Sequence, residues 1–207
     1  MENIDKIITI EEFHEYKFKE KASQFIGQVF HCESEDEAKE ILERVKKEFY
    51  DARHHCYCWK IGEDTIKYSD DGEPNGTAGI RILNAIEHFN LQNIIVISIR
   101  YFGGVKLGVG PLGKAYYNSA YNCLDEANKI EKIKYQYLRV KFGYDFTSKI
   151  HHYLGMYNAI IKDNLYEDNP VIEFLLRPDQ VEKFCEEIFE STHGRVKVEP
   201  TKNIVLI

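Results

Sequence analysis

The sequence predicts an α+β protein of two domains, and three observations carry that prediction. Residues 34–127 alternate between helix-period and strand-period hydrophobic patterns. Residues 131–207 read strand, helix, strand, strand, helix, strand, the βαββαβ order of a ferredoxin-like domain. The character changes around Ala127–Glu131, and charge divides unevenly there. Residues 1–130 carry 16 Lys/Arg against 22 Asp/Glu, and 131–207 carry 11 against 12. The boundary is therefore placed near residue 130, giving domains 1–130 and 131–207.

In the first domain, Ser34-Glu-Asp-Glu37 has the capping-box spacing, in which each end of a helix's first turn satisfies the other's free N–H. It opens a helix with Ala38, Ile41, Leu42, Val45 and Phe49 on one face. ARHHCYCWKIG suits a strand with His54, Cys56 and Cys58 on one side and His55, Tyr57 and Trp59 on the other. SDDGEPNGTAG, residues 69–79, is dense in turn formers and reads as a loop. A helix follows, aligning Ala78, Ile82, Ala85, Ile86 and Phe89. Asn93–Ile99 is a nearly continuous apolar run, as expected of a strand buried on both faces. A glycine-rich loop leads into a long helix whose inner face runs from Leu112 to Ala127, with Pro111 in its first turn. The second domain reads as strand 132–142, helix 147–157, strands 159–166 and 171–177, helix 179–189 and strand 195–206 broken near Pro200.

The net charge of −7 over 207 residues argues against a broadly basic nucleic-acid binder and leaves room for a local basic patch. No apolar run has the length of a membrane span or the form of a signal peptide, so neither a membrane nor export is expected. Five scattered cysteines argue for a reducing compartment, and the cytoplasm is the expected location. Cys56 and Cys58 beside His54 and His55 raise a zinc site, but no second pair completes it. Buried reduced thiols are the simpler reading.

RYFGGVKLGVGPLGKAY contains Gly108-Val-Gly110-Pro-Leu-Gly113, nominally the G-x-G-x-x-G of a dinucleotide site. The context fails: the strand ends near Arg100, the helix leads out of the domain, and no ribose-binding acid follows on a second strand. No Walker loop is present either, so no cofactor is expected. Arg100, Lys106 and Lys114 flank a helix N-terminus, which favours an anion. A tightly packed connection that needs glycine for steric reasons explains the loop equally well. Asp70, Asp71 and Glu73 could hold Mg²⁺, or could simply form a turn and complement a helix dipole. His151 and His152 read as surface residues on a helix.

DARHHCYCW (51–59), SDDGEPNGTAG (69–79) and RYFGGVKLGVGPLGKAY (100–117), in that order and spacing, resemble the YigZ/IMPACT family. Lys21-Ala-Ser23-Gln-Phe25-Ile26 is similar to the family's opening segment. The resemblance covers essentially the whole chain. Departures are Asn75 in place of serine or alanine, Ile80-Arg81 in place of lysine-proline, and Pro111 in place of a second glycine. Pro111 removes one backbone donor from any anion cradle. The resemblance implies a first domain like the second domain of ribosomal protein S5, with a left-handed β-α-β crossover that would account for the glycine-dense loop. It also implies a two-domain pairing like the last domains of the translocase elongation factor. Eukaryotic relatives bind a ribosome-associated activator of the starvation-sensing kinase; the short form resembles bacterial members. A proline-dipeptidase role has no support in these residues.

Two functions follow as expectations. The first is a non-enzymatic module that binds RNA, the ribosome or a translation-regulatory protein, without sequence-specific reading of DNA. Its face draws on His54, His55, Asp70, Asp71, Glu73, Thr77, Arg100, Tyr101, Phe102, Gly103, Gly104, Lys106 and Lys114, with Arg81 beside them. The second is a small metal-assisted enzyme or binder that uses Asp70, Asp71 and Glu73 on a phosphorylated metabolite or nucleotide. The two differ in whether the three motifs meet on one concave surface and in what the carboxylates do there.

Overall fold

A computed structural model describes residues 6–166 and 168–207. In chain order the elements are β1 (Lys6–Ile10), β2 (His14–Glu20), β3 (Ser23–His31), α1 (Glu35–Glu48), β4 (His54–Ile61), β5 (Thr65–Ser69), α2 (Gly79–His88), β6 (Ile94–Tyr101) and α3 (Val109–Glu126). There follow β7 (Lys129–Lys141), α4 (Thr147–Met156), β8 (Ile160–Tyr166), β9 (Pro170–Leu176), α5 (Pro178–Ser191) and β10 (Lys197–Leu206). The fold is α+β. It divides into two compact units: Ile8–Glu131, and Lys132–Ile207 together with Lys6 and Ile7.

The first unit is built on an antiparallel sheet of order β2-β3-β6-β4-β5. β6 is central because its residues are apolar on both sides, and the two sides face different helices. Ile95, Ile97 and Ile99 pack with Ala38, Ile41, Leu42 and Val45 of α1, joined by Trp59. Ile94 and Val96 pack with α2 and α3, together with Phe25, Cys56, Cys58 and Tyr116. The strand alternation expected around the two histidines therefore holds: Cys56 and Cys58 face α2 and α3, and Tyr57 and Trp59 face α1. Gly27 is where α3 sits directly on β3, since a Cβ there would overlap the Ser119 carbonyl.

The crossovers β3-α1-β4 and β5-α2-β6 each step over one strand in equivalent senses. Their helices lie on opposite faces, so the two crossovers have opposite hands and one of them is left-handed, against the usual rule. The glycine loop belongs to neither. It joins β6 to α3, which corrects the expectation that a crossover explains its glycines. Gly103 passes against the Ala22 carbonyl with no room for a Cβ, and Gly104 and Gly108 hold φ of 87° and 86°.

The Ser34 cap forms, its hydroxyl accepting from Glu37 N at 3.2 Å. Glu37 returns its carboxylate to Glu33 N at 2.9 Å, one residue earlier than the capping box places it. β2, β3 and β5 lie where the periodicity argument assigned nothing. β2 and β5 are edge strands, and β2 has the burial pattern of a half-solvated ribbon.

The other sheet has five strands, of order β1-β7-β9-β8 with β10 also paired to β7; the β8-β9-β7-β10 pairings are antiparallel and follow the strand order of a ferredoxin-like βαββαβ domain. Leu138, Val140, Ile172, Phe174 and Leu176 pack under α4 and α5. The pairing of β10 with β7 slips between Pro200 and Ile204, since proline cannot donate to the ladder. His151 and His152 are exposed, as expected.

Candidate functional site

The residues that approach one another do so because they share one side of the first sheet. Alternation sends His54 of β4 and Arg100 of β6 toward α2 and α3, and these two are register partners. Arg100 is only 4% exposed. Its Nη1 donates to Glu73 Oε1 at 2.6 Å and its Nη2 to Ser23 Oγ at 3.2 Å. Its guanidinium lies over Phe25 at 5.4 Å and Phe102 at 5.3 Å. Arg100 Nε is buried and has no partner. Tyr116, from α3, donates its hydroxyl to the same Glu73 oxygen at 2.8 Å. Burial, then Cys56 and Glu73 beside it, push the Tyr116 phenol far up, so it stays a proton donor.

His54 donates from Nδ1 to the Asp71 carbonyl at 2.8 Å in the tautomer that satisfies that bond. Its Nε2 then presents a lone pair 3.7 Å from Glu73 Oε1. Arg100 and Tyr116 thus both donate to Oε1, with His54 Nε2 nearby but not bonded to it, while Oε2 takes neither bond. The carboxylate and guanidinium side chains are each 5% exposed. A pair this buried holds only because each charge has the other and further hydrogen bonds around it.

Around this pair opens a cleft of about 480 Å³. Arg53, His54, Glu73 and Pro74 line it together with Arg100, Phe102, the loop 106–109 and Leu112. Arg53 and Lys106 are exposed, and no carboxylate pairs with either among the described residues. Gly108 caps α3 with no side-chain bond, so the N–H groups of Val109 and Gly110 at its first turn stay free of the helix ladder. A more open groove of about 600 Å³, lined by Glu11, Glu12, Glu37, Glu40, Phe13 and Arg44 among others, contains no motif residue.

The motifs therefore do converge: the HH strand, the acidic loop and the glycine loop each contribute to one concavity, and Ser23 of the opening segment braces it. The expected face is nonetheless redrawn. His55 lies on the α1 side, buried, with Nε2 3.0 Å from the Phe49 carbonyl, and burial pushes its pKa down. Tyr101, also on the α1 side, donates to Asp51 Oδ1 at 2.8 Å; burial and that bond push it up to about 12.

Asp70 Oδ1 accepts from Ala78 N and Gly79 N at the start of α2, and its Oδ2 accepts from Gly76 N in the loop, all at 2.8–2.9 Å. Asp71 accepts from His55 N at 2.6 Å. These carboxylates brace the loop, as the turn reading has it. Thr77 is buried and bonded to the Pro74 carbonyl. Gly103 and Gly104 shape the loop, and Lys114 is exposed but does not line the cleft. Arg81 lies over Gly113 and donates to the Gly76 carbonyl at 3.3 Å.

Arg100, expected as a solvated cation for an anion, is instead neutralised by Glu73. Arg53, Leu107, Val109 and Tyr116 were missed as site residues. Alternation from His54 signalled the exclusion of His55, and Tyr116 sat on the predicted inner face of its helix. Arg53 lies inside the DARHHCYCW motif, and that membership is the one sequence signal for it.

Comparison with known proteins places this chain in a family. Residues 21–124 match the Impact N-terminal domain, and residues 140–195 match a domain of unknown function, DUF1949. The chain is 32% identical to IMPACT family member YvyE of Bacillus subtilis, covering 90% of this chain and 87% of that one. It is 29% identical to IMPACT family member YigZ of Escherichia coli, covering 86% and 89%. Rat Protein IMPACT is 34% identical over 45% of this chain and 31% of its own length. A solved structure described as a hypothetical protein aligns with TM-score 0.70 at 26% identity, covering 96% of this chain and 98% of that one.

Proposed function

The chain belongs to the IMPACT family, and we propose that it works as a non-enzymatic binding module of the translation apparatus whose partner is phosphate-bearing RNA, on the ribosome or bound for it. The observation that carries this is the cleft: two unpaired cations, Arg53 and Lys106, stand with the open first turn of α3 around a buried, internally neutral Arg100–Glu73 pair. Such a surface attracts phosphate without needing a basic protein overall, because its positive field is local while the chain carries −7. Half-exposed Phe102 adds a ring on which a base can stack.

The test is co-sedimentation with ribosomes at low and high salt. The chain pellets with ribosomes at low salt and is released as salt rises, and Arg53→Ala with Lys106→Ala weakens the low-salt association. No enrichment in the pellet at either salt overturns the proposal.

A second reading, a binder of small phosphorylated ligands, is favoured by one observation: about 480 Å³ is the size of a metabolite pocket. In this reading Asp70 gives both oxygens and Asp71 its Oδ2 to backbone N–H groups, so they act by holding the loop.

A further inference from the structure

We infer that the cleft takes a single 5′-phosphorylated nucleotide unit, the phosphate monoester end of an RNA strand, and not a run of internal phosphodiesters. This rests on the RNA reading and deepens it. Charge is the first argument. The Arg100–Glu73 pair cancels internally, so the free charge of the cleft is that of Arg53 and Lys106 plus the helix N-terminus. That terminus adds roughly half an elementary charge. A phosphate monoester carries about 1.5 to 2 negative charges near neutral pH, and an internal phosphodiester carries one. The site matches the monoester.

Shape is the second argument. The surface is a bounded cleft and not a basic track, and its volume of about 480 Å³ suits one small ligand. Leu107 is buried beside the loop, while Phe102 and Val109 at the mouth are 44% and 68% exposed. These apolar groups stand within the same cleft as the cations, as a base adjoining a phosphate requires.

Arg100 adds an observation separate from the helix terminus. Arg100 lines the cleft, is 4% exposed, and has an Nε–H with no acceptor. A buried donor left without a partner costs about 1–3 kcal/mol, so this wall of the cleft carries an unmet donor that a ligand oxygen satisfies only where binding uncovers it. Glu73 Oε2, outside the Arg100 and Tyr116 bonds, is the corresponding acceptor for a ribose hydroxyl.

The experiment measures binding of 3′-fluorescent RNA pentamers by anisotropy, with either a 5′-phosphate or a 5′-hydroxyl, and of free nucleoside 5′-monophosphate by competition and thermal shift. The 5′-phosphorylated RNA is expected to bind at least about tenfold more tightly, a step of one pair of charge-assisted hydrogen bonds. Lys106→Ala removes that preference, and free monophosphate competes. Lys106 is exposed and unpaired, so the variant folds. Equal binding of both pentamers overturns this inference while the RNA-module reading stands. Monophosphate binding with neither RNA bound overturns the RNA reading and supports the pocket chemistry alone. No binding of any of the three overturns both.

Discussion

The two faces of the first sheet are made from the same strands, yet they do different work. On the α1 face, Ile95, Ile97, Ile99 and Trp59 close into an apolar layer, and the one histidine there, His55, is bonded to a backbone carbonyl. On the α2/α3 face the apolar layer stops short at one end. There Arg100, Glu73, Tyr116 and His54 form a buried polar cluster with a cleft above it. The difference teaches that motif residues adjacent in sequence are sorted by strand alternation, and only every second one reaches the site.

The sharpest way to break this contrast is Glu73→Ala. It leaves the Arg100 guanidinium buried and uncompensated, and the expected loss is about 3–5 kcal/mol in urea unfolding. If the loss is under about 1 kcal/mol, the pair is not the hub described. Gly27→Ala attacks the same face through sterics. Its methyl meets the Ser119 carbonyl, and α3 must shift off β3 at an expected cost of about 1–3 kcal/mol by the same measurement.

The α1 face responds more mildly. Ser34→Ala removes the hydroxyl that accepts from Glu37 N and should cost about 1 kcal/mol. His55 gives this face a pH signature. Its pKa is lowered from 6.5 by burial, so the unfolded chain takes up the proton first. Its contribution is complete above pH 6.5 and declines as pH falls through that value toward the depressed folded pKa. Urea midpoints measured from pH 7.5 to 5 should fall in the parent chain and fall less in His55→Asn. Identical slopes would remove His55 from that role.

Much of this contrast was legible in the sequence. β6 declared itself by its continuous apolar run, and α1, α2 and α3 by helical spacing, because each must bury one face. The edge strands β2 and β5 alternate, with Tyr16 and Phe18 in HEYKFKE and Ile66 and Tyr68 in TIKYS, but two apolar positions each are too few to fix a strand before it pairs with β3 or β4. For the site, the motifs identified the participants but not their partners. That Arg100 is spent on Glu73, 27 positions away, and that Asp70 caps α2, are tertiary facts without periodicity. Arg53 lies inside a motif, yet its place in the site became visible only once the cleft was formed.

The central claim is that the working cations are the unpaired Arg53 and Lys106, with Arg100 held as framework. The most direct measurement is the slope of log affinity against log salt for a single-stranded RNA, in the parent chain and in Arg53→Ala/Lys106→Ala. Each lost phosphate contact on a single strand removes about 0.7 from the slope, so the double variant should be shallower by about 1.4. An unchanged slope in the double variant would contradict the account.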